Sequence, residues 1–305
     1  MIRAVGAPAG SGRAPGVFAN ARGLLGTITA ALGLPGQVVR LVYCVPAPLT
    51  AGANLQSTSD MRIKVGEVEA LFRYPVKSMR GERLEAADLG WHGLDGDRRM
   101  ALRLGDDRTG FPWLTASKLP ELLLFAPQRP ELAVAGSLPT HVRTPEGDEL
   151  AVFGGELAAD IGRRHGSPVE MVHLNRGIFD EASVSLITSA TVGEVGRLAA
   201  QSPDVRRFRP NVLIASSRSV SFEEDEWVGG VLSFGDADAA AVFITNHDER
   251  CAMVNYSPDT ARPAAEVLKA IVQARNNKAG VYGTVARRGA VAVGQPVFFE
   301  PATGA

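Results

Sequence analysis

From Met61 onward the chain is built of short apolar runs, many alternating with polar residues and most closed by Gly, Pro or Asp. That pattern restricts it to a strand-rich fold, because period-two alternation buries one face of a strand and cannot keep one face of a helix apolar. In Val68-Glu69-Ala70-Leu71-Phe72-Arg73-Tyr74 the apolar residues at 68, 70, 72 and 74 predict a half-buried strand, which Pro75 ends because proline cannot donate to a ladder. Met100, Leu102 and Leu104 alternate in the same way, as do Glu149–Phe153 and Val169–Leu174. Ser185–Thr188, Val212–Ala215 and Ala240–Thr245 predict buried strands, and Ala290–Phe299 a closing strand interrupted at Gly294-Gln295-Pro296. Gln128–Leu138 predicts loop around one short strand.

Helical signals are few. Glu156–Arg164 follows Gly154-Gly155; Ser189 is the expected N-cap of a helix through Ala200. Pro263 stands near the start of a helix with Val267, Leu268, Ile271 and Val272 on one face. There is no internal repeat, no G-x-G-x-x-G and no P-loop. The expected class is α+β, β-rich and barrel-like, with a few helices, not a doubly wound sheet.

At 305 residues the prior is two domains or one large one. Residues 1–60 differ from the rest: four arginines, no lysine and one acid give +3, against 28 bases and 32 acids (−4) over 61–305. This Ala/Gly/Pro-heavy stretch is expected to be a disordered or spurious extension in front of a true start at Met61. A net charge of −1 argues against a nucleic-acid binder. No run reaches the ~20 apolar residues of a membrane span. Two cysteines, Cys44 and Cys251, exclude a disulfide framework, a four-cysteine zinc site and a four-thiolate iron–sulfur cluster. A reducing, cytoplasmic location is the default.

Four stretches carry candidate chemistry. Cys251 ends Asn246-His247-Asp248-Glu249-Arg250-Cys251, where Arg250 favours the thiolate, the form that ligates metals; the alternative is an inert buried cysteine. Lys77-Ser78 follows a strand end and offers a point charge and a hydroxyl to an oxyanion, or is a solvated loop. In Arg206-Arg207-Phe208-Arg209-Pro210-Asn211 the guanidinium forks suit phosphate and the Asn211 amide a heterocycle edge, with Pro210 restricting Arg209 to extended geometry. A basic turn is the other possibility. Leu94-Asp95-Gly96-Asp97-Arg98-Arg99 lacks the ligand set of a calcium loop and reads as a turn entering the next strand. Of the histidines only His247 is near Cys251; the pair allows a Cys/His hydrolase but not a zinc site.

Taken in order, Tyr74-Pro75-Val76-Lys77-Ser78 and Gly90-Trp91-His92-Gly93-Leu94-Asp95-Gly96-Asp97-Arg98 resemble a MOSC N-terminal β-barrel domain. Phe208-Arg209-Pro210-Asn211, Asp225-Glu226-Trp227, Arg250-Cys251, Pro258-Asp259-Thr260 and Val293-Gly294-Gln295-Pro296-Val297 resemble a MOSC domain. Over about residues 64–300 the chain is similar to the mitochondrial amidoxime-reducing components and their bacterial relatives. The resemblance implies an N-terminal barrel domain over 61–180 and a MOSC domain over 181–301. It implies a molybdenum cofactor (Mo-molybdopterin), with Cys251 as the metal's one protein thiolate and the catalytic ligand. Lys77, Ser78, Arg98, Arg209, Asn211 and Arg250 fall at cofactor-binding positions. The implied activity is two-electron reduction of small N-hydroxylated compounds such as amidoximes and hydroxylamines. No cysteine-rich segment follows, so an external electron-transfer protein of the ferredoxin, flavoprotein or cytochrome type is expected as donor. Departures from the family pattern at Val254-Asn255-Tyr256-Ser257 and Tyr282-Gly283-Thr284-Val285 are expected to line the substrate side. The alternative function is a cofactor or sulfur carrier without turnover; a pyridoxal-phosphate lysine at Lys77 is a remoter one.

Overall fold

The structure is a computed structural model that describes the backbone at Ala19–Asn20, Gly23–Ala31 and Val38–Val45, and residues 62–107, 109–129 and 138–302. The first three segments pair as an antiparallel sheet of their own. The rest of residues 1–61, on which most of the expected extension falls, lies outside the described residues, as does most of 128–138.

Residues 59–305 form one compact unit. Its centre is a closed barrel of seven strands: β1 (Ile63–Arg73), β2 (Val184–Thr188), β3 (Val212–Ser216), β4 (Val231–Phe234), β5 (Ala241–Glu249), β6 (Lys278–Arg287) and β7 (Pro296–Glu300). The order is β3-β2-β6-β5-β4-β7-β1, and β1 returns to pair with β3, leaving the ring closed. Closure removes the free edges through which open sheets aggregate. Only β2 and β3 run parallel. Parallel neighbours need a crossover, here the helix α2 (Ser189–Ala199), one of three among the described residues with α1 (Gly155–His165) and α3 (Glu266–Arg275).

A bulge re-aims β1. Leu213 faces Ala70 and Ile214 faces Val68, so Glu69 has no partner on β3. Val68 and Leu71 therefore both point into the barrel with Val184, Leu232, Val242 and Val297, while Ala70, Phe72 and Tyr74 point out against α2 and α3. The simple alternation expected over 68–74 fails at that one residue.

Two helix expectations are corrected. The N-cap of α2 is Thr188, whose Oγ1 accepts from the Thr191 amide at 3.2 Å; Ser189 is already helical. On α3 the buried face is Val267, Ala270 and Ile271, whereas Val272 is 49% exposed; one residue adds about 100° of rotation, which carries it off that face. The closing segment is two strands in different sheets. Gly289–Ala292 pairs with Ala86–Gly90, and β7 joins the barrel.

A smaller lobe sits between β1 and β2 in sequence. It holds Met100–Leu104 paired with Val169–His173, the meander Ala126–Gln128, His141–Arg143 and Glu149–Ala151, and α1. Met79, Leu114, Phe125, Leu157 and Ile161 fill its core. The barrel thus takes its first strand from before this lobe and the other six from after it.

Candidate functional site

The end of β1, the starts of β2 and β3 and the end of β5 meet at one end of the barrel, where a cavity of about 330 Å³ opens. Lys77, Ser78, Arg98, Arg209, Arg250 and Cys251 all line it, so four segments far apart in sequence bring together every expected site residue except Asn211. Cys251 stands just beyond β5, a free and exposed thiol.

Three of these residues adopt left-handed backbone: Ser78 (φ +68°), Arg98 (φ +48°) and Arg209 (φ +51°). Such conformations are costly for residues with a Cβ and persist where the surroundings enforce them. Arg209 is thus not extended, as Pro210 alone predicts. Its carbonyl is instead fixed as the acceptor for Arg98 Nη2 at 2.9 Å, and its Nη1 donates to the Met79 carbonyl at 2.7 Å. Its guanidinium stacks on the Tyr74 ring at 4.1 Å and leaves Nη2 without a partner. Burial pushes this group down to about 10, since no carboxylate pairs with it.

Lys77 is buried, and its ammonium donates to Asp180 at 2.8 Å and to the Ile178 carbonyl at 3.3 Å. Burial lowers its pKa, and Asp180 opposes that shift. Ser78 is 1% exposed and its hydroxyl has no partner. Arg250 is fastened on three sides: Nε donates to the Ala279 carbonyl at 2.7 Å, Nη1 to that of Phe208 at 2.8 Å, and Nη2 pairs with Asp248 at 2.8 Å. Gly280 makes room for it. With φ +85°, a Cβ there would lie 2.8 Å from the Leu186 carbonyl and 2.9 Å from Arg250 Nη2.

Asn211 is placed differently from expectation. It is 1% exposed and does not line the cavity. Its Oδ1 accepts from the Ser185 amide at 3.1 Å and Arg98 Nη1 at 3.3 Å, and its Nδ2 donates to the Phe72 carbonyl. The amide stitches β1 to β2 and holds Arg98 in place, with both bonds to Oδ1 and one Nδ2 hydrogen taken up by the protein. Asp97, in the turn expected before Met100, is fully buried; its Oδ1 accepts from the Tyr74 amide and its Oδ2 from Arg98.

His247 is not on the cavity lining with Cys251. It lies one residue before Asp248 on β5, and its Nε2 is 3.7 Å from Asp225. No histidine lines the cavity among the described residues, which leaves a Cys/His hydrolase without its base. Trp227 is barrel core, and Asp259 pairs with Arg206 at 2.6 Å, so these motif residues serve the fold.

The wall also carries Asp180 and Phe111, which were not singled out from sequence, and Arg207 and Asp248 from the two stretches that were. Asp248 is 1% exposed, accepts from Ser185 Oγ at 3.0 Å, and is pushed up to about 6 by burial, against the pull of Arg250. Tyr282, from a stretch expected to face substrate, is on the wall with Met253 and Val254; burial raises its phenol. Lys77 and Arg250 have carboxylate partners and Arg98 has Asp97. Arg207 and Arg209 bond only to carbonyls, so the attraction for an anion rests on these two. Among the described residues no cluster of three or more His, Cys, Asp or Glu could cage a metal.

Fold and site together define a closed β-barrel protein with a cation-lined cavity opening on a single thiol. The family model for the MOSC N-terminal beta barrel domain matches residues 65–182, and that for the MOSC domain residues 162–298. The chain belongs to the MOSC-domain proteins, carrying both domains; such domains occur in proteins that bind the molybdenum cofactor or transfer sulfur. Among solved structures it is similar to the YUAD protein from Bacillus subtilis, with 15% identity over 79% of this chain and 98% of that one, at a TM-score of 0.44. A hypothetical protein matches at 11% identity over 77% and 68% (TM-score 0.37), and YiiM from Geobacillus stearothermophilus at 19% over 39% and 54% (TM-score 0.29). No curated protein matches the chain.

Proposed function

We propose that the chain is a cytoplasmic molybdenum-cofactor oxidoreductase that reduces small N-hydroxylated compounds with electrons from an external electron-transfer protein. The observation that carries this reading is an exposed thiol sharing one cavity with buried, unpartnered polar atoms, among them Ser78 Oγ, Arg207 Nε and Arg209 Nη2. Buried polar atoms without partners are rare, and a ligand that bonds to them completes the site. The fit is chemical as well. A metal carried on an organic dithiolene needs only one protein donor, and a soft thiolate is the appropriate one.

In this reading Cys251 holds the metal from the β5 end. Arg207, Arg209 and Ser78 receive the anionic tail, with Lys77 shared between that tail and Asp180. Arg98 and Asn211 keep Arg209 aimed. When bound, the cofactor supplies the two-electron chemistry. Reducing a hydroxylamine to an amine consumes two electrons and two protons and releases water. The chain offers two titratable groups on the wall through which protons can pass, the Asp248 carboxyl and the Tyr282 phenol.

The test is metal analysis of protein expressed with cofactor supply, together with benzamidoxime reduction using an artificial donor. Molybdenum with turnover supports the reading; a metal-free protein overturns it. The exposure of Cys251 also suits the second reading, a cofactor or sulfur carrier. A carrier shows molybdenum or a Cys251 persulfide by mass spectrometry but no turnover with any donor.

A further inference from the structure

A second cavity, of about 400 Å³, shares Arg209 with the first. Phe72 and Leu123 give it an apolar wall, and Arg80 and Arg83 stand exposed on its lining. Arg206 is there too, but Asp204 at 2.9 Å and Asp259 at 2.6 Å already occupy its guanidinium. The other two are less engaged. The carboxylate nearest Arg80 is Asp259 at 4.0 Å, and Arg83 forms no ion pair among the described residues.

Two buried groups on the lining lack partners. Tyr74 is 2% exposed with an unbonded hydroxyl, and Arg209 is 8% exposed with Nη2 unbonded. Each is the kind of group that folded proteins pair with something. Four arginines against the single acid Asp204 make the lining cationic, and the apolar wall favours a ligand with a hydrophobic part.

We propose that this second cavity binds a small organic anion, an oxyanion head on an apolar body, with Tyr74, Arg83 and Arg209 as its polar contacts. The head accepts from the phenol and the guanidinium groups; the body covers Phe72 and Leu123. A phosphate or a carboxylate meets the same donors in the same way. Arg209 lies on both linings, so a group bonded to its Nη2 in the first cavity competes with this one, while Tyr74 and Arg83 belong to the second cavity alone.

Calorimetric titration of the full chain with phenyl phosphate tests this. Wild-type protein is expected to bind it, inorganic phosphate about tenfold more weakly for want of the apolar contact, and neutral benzyl alcohol not at all in the same range. Arg83→Gln and Tyr74→Phe are each expected to weaken binding by about tenfold, the loss of one charged or buried hydrogen bond. Arg83 is exposed and Phe preserves the ring, so both variants should fold, as an unchanged melting temperature checks. Lys77→Gln, which alters only the first cavity, should leave the affinity unchanged. Absence of phenyl phosphate binding to wild type overturns the proposal. So does binding that Lys77→Gln abolishes while Arg83→Gln and Tyr74→Phe leave it intact, because the anion then occupies the first cavity.

Discussion

The Lys77 ammonium lies 2.8 Å from the Asp180 carboxylate, 103 residues further along the chain, and both face the same cavity. Lys77 is buried while Asp180 is 59% exposed, so the acid is the partner free to turn away. An incoming anion therefore competes with Asp180 for the lysine. Asp180→Asn is expected to retain at least wild-type molybdenum per protein. Lys77→Gln should weaken cofactor retention by tenfold or more, since hydrogen bonds to charged groups contribute about 1.5–3 kcal/mol. Metal-to-protein ratio after gel filtration checks both.

Asp248 gives the cavity a pH signature. Burial raises its pKa to about 6 from the model-peptide value of 3.8, so between those limits the folded chain binds the proton more tightly than the unfolded one. Folding stability from this group is full below about 4 and falls as pH rises towards 6. The span is on the order of 3 kcal/mol at most, at 1.36 kcal/mol per unit. Urea unfolding at pH 4.5 and pH 7 is expected to show Asp248→Asn gaining on wild type at the higher pH; parallel behaviour of the two proteins contradicts the assignment.

Backbone strain separates stability from binding at Ser78. With φ +68° and an unpartnered hydroxyl, Ser78→Gly removes the left-handed penalty and the orphaned group together. The variant should be as stable as wild type or up to about 1–2 kcal/mol more stable. It should nonetheless hold less molybdenum. Thermal unfolding alongside metal analysis resolves the two effects.

Gly280 behaves in the opposite sense. Its φ of +85° and a Cβ position 2.8 Å from the Leu186 carbonyl leave no room for a side chain. Gly280→Ala is expected to destabilise by about 2 kcal/mol or more and to displace Arg250. A lowered urea midpoint with an unchanged slope is the result to look for.

The strands were legible because half-buried β-structure prints its alternation on the sequence. Met100–Leu104 is observed with the bounds the pattern predicts. What alternation could not show is the Glu69 bulge, which turns Leu71 inward, or the pairing of β1 with β3, which joins residues some 140 positions apart. Thr188 outcompetes Ser189 as the cap because Glu224, distant in sequence, locks its hydroxyl at 2.9 Å. Loop chemistry explains the site in the same way. The cations and the thiol stood out as residue types beside strand ends. Asn211 has the same look, but its amide bonds to backbone groups of neighbouring strands and to Arg98, a fact only tertiary pairing reveals. Asp180 follows no motif and is found only through Lys77.

The most direct measurement is X-ray absorption at the molybdenum edge of wild-type protein and Cys251→Ser, each expressed with cofactor supply. If Cys251 is the metal's protein ligand, the serine variant shows one sulfur neighbour fewer than wild type. An identical sulfur shell in the two proteins, or wild type without molybdenum, contradicts the account.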